Sequence, residues 1–174
     1  EPRLRQCDHA AGVRGRLGCA PPCGAYGAVR RITVGDTVAM TSTSVMWFRR
    51  DLRIADLPAL HAAAAEGAVV PLFVVDPAFD RAGAVRREFM CRALRSLDDA
   101  VDRALVYRYG DPADIVPRIA AEVGASTVHV TRDFGPYGRA RDAEVAARLR
   151  TDGRRLVGTG TPYAVDRKST RLNS

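Results

Sequence analysis

Short apolar runs alternate with amphipathic segments along residues 44–158, and this alternation restricts the possible folds more than any other feature. The apolar runs are typical of strands buried on both faces and lie at 44–48, 69–75, 105–109, 127–131 and 154–158. The segments between them are typical of helices and lie at 56–66, 84–103, 111–124 and 137–151. Because strand and helix alternate strictly, the sequence predicts an α/β domain: a Rossmann-like, doubly wound sheet of five parallel strands flanked by helices.

Polar caps and prolines set the expected limits of several elements. Asp56 is expected to cap the first helix. Asp111 supplies the cap of the third helix and Pro112 its first residue, whereas Pro117 is expected to kink or delay that helix. In the second strand, Pro71 suits the first residues better than the middle, because proline cannot donate a hydrogen bond to a neighbouring strand.

The two ends of the chain differ in composition from its middle. The single lysine, Lys168, and the single asparagine, Asn173, both lie within 166–174, so this stretch is predicted to be a non-native tail. Residues 1–39 are rich in Arg, Gly, Ala and Pro and show little hydrophobic periodicity, which predicts a leader that is disordered or non-native. The predicted domain is therefore 40–165.

The net charge of +7 lies mostly in those two ends. Residues 1–39 carry +3 and residues 166–174 carry +2, which leaves +2 for residues 40–165. A domain so close to neutral is not predicted to bind nucleic acid by charge alone. No apolar stretch reaches the roughly 18 residues of a membrane span, and no secretory signal is evident, so a cytoplasmic protein without membrane contact is expected.

Known catalytic and metal-binding motifs are missing from the sequence. Cys7, His9, Cys19 and Cys23 could form a zinc site, but their spacing is not one of the paired zinc patterns, and no metal is expected. Cys91 is predicted to be a small core residue. Neither a dinucleotide-binding glycine motif, a P-loop nor a nucleophile elbow occurs, so no catalytic residues are predicted in the domain itself.

The loops that follow the predicted strands are rich in arginine, aspartate and aromatic side chains. They lie at 48–53, 76–77, 110–111 and 132–137. In a parallel sheet, ligands bind beyond the carboxyl ends of the strands, near the point where the strand order reverses. Arginine binds anionic groups, carboxylates accept ring N–H groups and aromatic rings stack, so these loops predict a site for a planar, partly charged ligand. Helix capping and mutual ion pairing are the alternative role for each residue.

Stretches within residues 44–165 resemble, in the same order, the DNA photolyase and cryptochrome family. The most specific is MWFRRDLR at 46–53, which is similar to the opening motif of that family. DFGPYGRARD at 133–142 is similar to the loop and helix after the family's fourth strand. Shorter similar stretches lie at 56–60, 71–77, 110–112 and 158–165.

This resemblance implies a division of labour between two domains. The chain would be the N-terminal α/β domain of a photolyase, while FAD and damaged DNA would be bound by a C-terminal helical domain that is missing here. The parent enzyme would split cyclobutane pyrimidine dimers in light, as a monomer, and the fragment alone would be inactive. Two alternatives stay open: a cryptochrome photosensor fragment, and a free-standing nucleotide-binding α/β module.

The resemblance also implies an antenna chromophore in this domain, either a deazaflavin or methenyltetrahydrofolate. The positions that match the family's antenna site are Arg49, Arg50 and Asp51 after the first strand, Phe73 and Asp76 on the second, and Asp133 and Tyr137 after the fourth. Many family members carry a glutamate where this chain has Gly135, and that acid can contact the antenna. The departure at Gly135 therefore bears on which chromophore binds.

Overall fold

Strands and helices alternate in the computed structural model, which describes residues 31–32 and 42–161. The strands are β1 Thr43–Phe48, β2 Ala68–Val75, β3 Val106–Tyr109, β4 Thr127–Thr131 and β5 Arg155–Thr159. The α-helices are α1 Pro58–Glu66, α2 Ala84–Ala100, α3 Pro112–Glu122 and α4 Pro136–Thr151. A short 3₁₀ helix, Pro77–Arg81, precedes α2. The predicted series of five strands and four helices is confirmed in this part of the chain.

The five strands form one parallel sheet in the order β3-β2-β1-β4-β5. The chain builds outward from β1 to β3, then crosses back to place β4 on the other side of β1. The strand order therefore reverses between β1 and β4, which confirms the predicted Rossmann-like, doubly wound sheet. The carboxyl ends of β1 and β4 are where such sheets bind their ligands.

Strand β1 lies at the centre of two hydrophobic cores, one on each face of the sheet. Val45 and Trp47 pack with buried residues of α3 and α4. Met46 and Phe48 point to the opposite face and pack with buried residues of α1 and α2, among them Cys91, which lies in the core as predicted. Because both faces of β1 are covered, its sequence is an unbroken apolar run rather than an alternating one.

Pro71 occupies the middle of β2, and the expectation that it would lie among the strand's first residues is wrong. Val69 exchanges two backbone hydrogen bonds, of 2.8 and 2.9 Å, with Ile32 on the edge of β2 that faces away from β1. Pro71 faces the same edge, two residues further on. Strand β3 begins to pair only at Leu72 with Val106. The missing N–H of Pro71 therefore removes no bond from the sheet.

Helix α1 begins later than predicted, and Asp56 does not cap it. The residue before the helix is Leu57, in an extended conformation, and no side chain caps this end. The reason is Pro58 at the first helical position, since a proline disfavours the helical conformation in the residue before it. Asp56 instead takes a left-handed conformation, with φ of 52°.

Helix α3 has the predicted start. The Asp111 carboxylate accepts a hydrogen bond of 2.8 Å from the backbone N–H of Ala113, and Pro112 is the first helical residue. The expectation that Pro117 delays the helix is wrong, because the helix runs from Pro112 through Pro117 to Glu122. A proline there removes one helical hydrogen bond, the one that its nitrogen would donate to the carbonyl four residues earlier.

Several expectations concern residues outside those that the structure describes. They include the non-native tail, nearly all of the leader, and the cysteines and histidine of the possible zinc site. Within 31–32 and 42–161, no group of His, Cys, Asp or Glu side chains could hold a metal ion. Among the same residues, no helix has both the length and the apolar character to cross a membrane.

Candidate functional site

Asp51 joins the loop after β1 to the end of β4. Asp51 is buried, with only 4% of its surface exposed. One carboxylate oxygen accepts a hydrogen bond of 3.1 Å from the backbone N–H of Arg49, and the other accepts one from the Thr131 hydroxyl. Asp51 therefore holds together the two loops at which the strand order reverses, and both of its oxygens are already engaged by the protein.

Arg49 is a buried cation beside the same loops. Its guanidinium donates to the Asp142 carboxylate and to the Thr131 carbonyl, and lies 5.0 Å from the centroid of the Trp47 ring. Burial lowers the pKa of Arg49 below its ordinary value, while the negative charge of Asp142 acts in the opposite direction. An arginine so placed stays protonated and keeps a fixed orientation.

Arg141, on the second turn of α4, is a site residue that the sequence reasoning missed. Its guanidinium carbon lies 5.2 Å from the centroid of the Trp47 ring and 5.7 Å from that of the Tyr137 ring, within the range of cation–π attraction. Its terminal nitrogen lies 3.1 Å from Asp142. The four-residue spacing from Tyr137 to Arg141 was the available signal, since it places both side chains on one face of a helix.

Asp133 is packed against the start of α4. One oxygen accepts a hydrogen bond of 3.0 Å from the backbone N–H of Gly135, and the other lies 3.6 Å from Arg141 and 3.9 Å from Arg50. A Cβ atom added to Gly138 would lie 2.7 Å from the Cβ of Asp133, closer than real Cβ atoms approach. The glycine therefore makes room for Asp133.

Tyr137 and Asp76 bridge α4 and the turn after β2. The Tyr137 hydroxyl donates to one oxygen of Asp76, whose other oxygen accepts a hydrogen bond of 2.8 Å from the backbone N–H of Ala78. Partial burial and this hydrogen bond to a carboxylate together raise the pKa of Tyr137 to about 12. The tyrosine is therefore a hydrogen-bond donor at neutral pH, although 55% of it is exposed.

A cavity of about 150 Å³ opens beyond the carboxyl ends of β1 and β2, and we call it the rim cavity. Four arginines and one aspartate line it: Arg49, Arg50, Arg86, Arg141 and Asp76. The uncharged part of its wall includes Trp47, Phe73, Phe79 and Met90. The rim cavity thus combines aromatic surface with a clear excess of positive charge.

The seven predicted site residues are distributed over three neighbouring cavities. The rim cavity takes Arg49, Arg50, Phe73 and Asp76. Tyr137 lines an adjoining groove between the turn after β2 and α4, of about 360 Å³, to which Asp76 also contributes. Asp51 and Asp133 line a smaller pocket between β1 and β4. The sequence reasoning missed eight residues that line the rim cavity: Trp47, Val74, Val75, Phe79, Arg86, Met90, Pro112 and Arg141.

The family model for DNA photolyase matches residues 44–174, which include every element of the sheet except the first residue of β1. The chain belongs to the DNA photolyase family. Its similarity to a photolyase is therefore not confined to the short motifs of the loops.

Named photolyases and cryptochromes are similar to this photolyase-family chain. A deoxyribodipyrimidine photo-lyase of Synechococcus is 35% identical over 149 residues, which cover 72% of this chain and 31% of the relative. Cryptochrome-2 of Gallus gallus is also 35% identical, over 71% of this chain and 23% of the relative. The chain thus spans about a third or less of the length of these two relatives.

Solved structures of the family have the same fold. A class III photolyase of Agrobacterium tumefaciens is similar with a TM-score of 0.64 and 28% identity, over 75% of this chain and 31% of that one. A Synechocystis cryptochrome has a TM-score of 0.66 at 22% identity, over 71% of this chain and 28% of that one, and supports the fold alone. The sheet is therefore that of the α/β domain of the family.

Proposed function

We propose that this chain is the light-harvesting α/β domain of a DNA photolyase and that the rim cavity binds its antenna chromophore. The observation that carries the proposal is the charge of the cavity, four arginines against one aspartate, beside aromatic walls and next to the point where the strand order reverses. Ligand sites typically combine a concave apolar surface with a few fixed polar groups. The rim cavity has both.

The chemistry of the cavity favours a planar, anionic ligand. Phe73 and Phe79 offer apolar ring surface, and the guanidinium of Arg86 lies 5.6 Å from the centroid of the Phe79 ring. The flat faces of guanidinium groups stack on ring systems, and their N–H groups bind anionic oxygens. A deazaflavin and methenyltetrahydrofolate are the two candidate chromophores, since both are planar and carry negative charge. A bound antenna would absorb light and pass the excitation energy on.

Although position 135 is a glycine, an acidic side chain is still present at this end of the site. Where many relatives carry a glutamate, this chain has Asp133 two residues earlier, with one oxygen between Arg50 and Arg141. The other oxygen is engaged by the backbone of Gly135. Asp133 thus keeps a carboxylate close to the proposed chromophore site, although it lines the small pocket between β1 and β4 and not the rim cavity itself.

Titration of the chain with a deazaflavin and, separately, with methenyltetrahydrofolate tests the proposal. We expect one of them to show a shifted absorbance band on binding. Arg86→Gln should weaken that binding by about tenfold to a hundredfold, because a charge-assisted contact contributes roughly 1.5–3 kcal/mol. Arg118→Gln, at an exposed position of α3 outside all three cavities, is the control and should bind like the parent. If neither chromophore causes a shift, the proposal is wrong.

The activity of the whole protein is part of the same proposal. A C-terminal helical domain would hold FAD and damaged DNA, and light would drive splitting of cyclobutane pyrimidine dimers in the intact monomer. Since the proposed substrate is cellular DNA, we expect the protein in the cytoplasm. Val85 and Phe89, one turn apart on α2 beside the rim cavity, are 86% and 73% exposed, which supports a partner domain at this face. The chain alone should neither retain FAD nor repair dimers.

A cryptochrome photosensor is the second candidate, favoured by the 35% identity to cryptochrome-2 of Gallus gallus. The membership of the photolyase family favours both of these over a free-standing nucleotide-binding module. Dimer splitting under light by the chain joined to its helical domain would support the photolyase. A flavin that responds to light without repairing dimers would support the photosensor.

A further inference from the structure

A small pocket lies between the ends of β1 and β4, next to the rim cavity. Its lining is Arg49, Arg50, Asp51, Thr131, Arg132 and Asp133, and we call it the switch-point pocket. Its volume of about 10 Å³ is that of roughly one water molecule. It shares Arg49 and Arg50 with the rim cavity, so a ligand in that cavity can extend one group toward its mouth.

The floor of the switch-point pocket is rigid, and its negative charges are buried. Asp51 is hydrogen-bonded to Arg49 and Thr131, which joins the two loops that form the floor. The Asp133 side chain is 8% exposed and is engaged by the backbone of Gly135 and by Arg141. Neither carboxylate therefore presents much negative surface to a ligand at the mouth.

Two arginines stand at the mouth of this pocket. The Arg50 side chain is 65% exposed, and the closest approach of its guanidinium to a carboxylate, Asp133, is 3.9 Å. Arg132 is exposed, and its Nε donates a hydrogen bond of 2.8 Å to the Gly158 carbonyl. Within the described residues, the terminal amino groups of Arg132 make no hydrogen bond or ion pair.

Gly158 on β5 fixes the position of Arg132. A Cβ atom at this glycine would lie 2.9 Å from the Cγ of Arg132. The side chain can therefore lie flat across β5 only because position 158 has no side chain. The hydrogen bond from Nε to the Gly158 carbonyl thus holds the guanidinium in place, and Arg132 contributes to the lining of the pocket.

We propose that Arg50 and Arg132 form a subsite for a phosphate ester carried by the ligand of the rim cavity. The inference rests on the proposed function, because the ligand's ring system has to lie in that cavity. Paired guanidinium groups bind phosphate oxygens with two parallel hydrogen bonds each. Both exposed side chains at this mouth are cationic, and the arginine that is held by Nε loses little conformational freedom on binding.

Two probes test the subsite: a deazaflavin with a free ribityl chain, and the same deazaflavin with a 5′-phosphate on that chain. Binding of both to the full chain is followed by absorbance. The phosphorylated form should bind about tenfold more tightly. In Arg132→Gln this preference should fall to near one, while the affinity for the unphosphorylated form stays unchanged.

Two further variants keep the test independent of one substitution. Gly158→Ala displaces Arg132 without removing it and should also reduce the preference for phosphate. Arg155→Gln changes an exposed arginine at the amino end of β5, away from the rim, and should keep the full preference.

The possible negative results of these binding experiments distinguish the subsite from the chromophore site. If both probes bind equally to the parent chain, or if Arg132→Gln keeps the preference, the subsite is refuted while the chromophore site stands. If neither probe binds but methenyltetrahydrofolate does, the subsite is again refuted and the proposed function holds. If no chromophore binds, both proposals are wrong.

Discussion

Replacing Gly138 by alanine tests whether Asp133 is packed as tightly as the structure indicates. Gly138 is the third residue of α4, and an added Cβ would lie 2.7 Å from the Cβ of Asp133. The substitution should therefore push Asp133 away from the helix. Its hydrogen bond to the backbone of Gly135 would weaken, and so would its contact with Arg141.

The expected loss of stability is the balance of one stabilising effect and two destabilising effects. Alanine favours a helix over glycine by about 1 kcal/mol. Overpacking a dense site costs about 1–3 kcal/mol, and loss of the Asp133 hydrogen bond costs about 1 kcal/mol. We therefore expect Gly138→Ala to lower the free energy of unfolding by about 1–3 kcal/mol, the opposite of what helix propensity alone predicts.

Urea unfolding followed by tryptophan fluorescence measures this change. Trp47 is the only tryptophan of the chain and is buried beside Arg49 and Arg141, so its emission reports on the site itself. The slope of the free energy against urea should stay the same, and the midpoint should fall. Gly83→Ala is the matched control, because a Cβ at Gly83 would meet nothing within 4 Å.

A double mutant separates the clash from other effects of the new methyl group. In the Asp133→Gly background both the carboxylate and the Cβ atom that the new methyl group would meet are gone. Gly138→Ala should then cost clearly less than in the parent, with a coupling energy of about 1 kcal/mol or more between the two sites. A Gly138→Ala variant as stable as the parent would refute the argument, and so would strictly additive effects.

Two further predictions concern the hydrogen bonds that hold the rim together. Asp51→Ala should lower the free energy of unfolding by about 2–3 kcal/mol in urea, because it leaves the Thr131 hydroxyl and a backbone N–H without their acceptor; an unchanged midpoint would contradict this. Tyr137 has a raised pKa, so its bond to Asp76 should stabilise the fold fully below about pH 10 and lose that effect as the pH rises through about 12. In Tyr137→Phe, the fall in stability between pH 10 and 12 should become shallower than in the parent.

The sheet could be predicted from the sequence because its three central strands, β1, β2 and β4, are buried along almost their whole length. Strand β4 was predicted with its observed limits, and the other strands differ from prediction by one residue at one or both ends. In such strands, each apolar residue of the run directly indicates a buried position. The start of α1 was predicted less well, since the rule that proline restricts the residue before it outweighed the capping preference of Asp56.

The residues of the rim could be predicted only where they follow a strand. Arg49 was expected there, but its partner Asp142 lies 93 residues away on α4. No local sequence pattern indicates which of several aspartates an arginine will pair with in the folded chain. The same holds for Asp51, a predicted ligand contact whose hydrogen bond joins the loop after β1 to Thr131 on β4.

The two glycines at the start of α4, Gly135 and Gly138, differ in how readily another residue can replace them during evolution. Gly138 faces Asp133, so a larger residue there has to be matched by a second change. Gly135 has an ordinary extended backbone, with φ of −68°, and a Cβ there would make only a normal contact of 3.4 Å with Asp133. An acid at position 135 can therefore be gained or lost in a single step without passing through an unstable intermediate. The proposed chromophore site can therefore change in chemistry at this position while the scaffold around it stays constant.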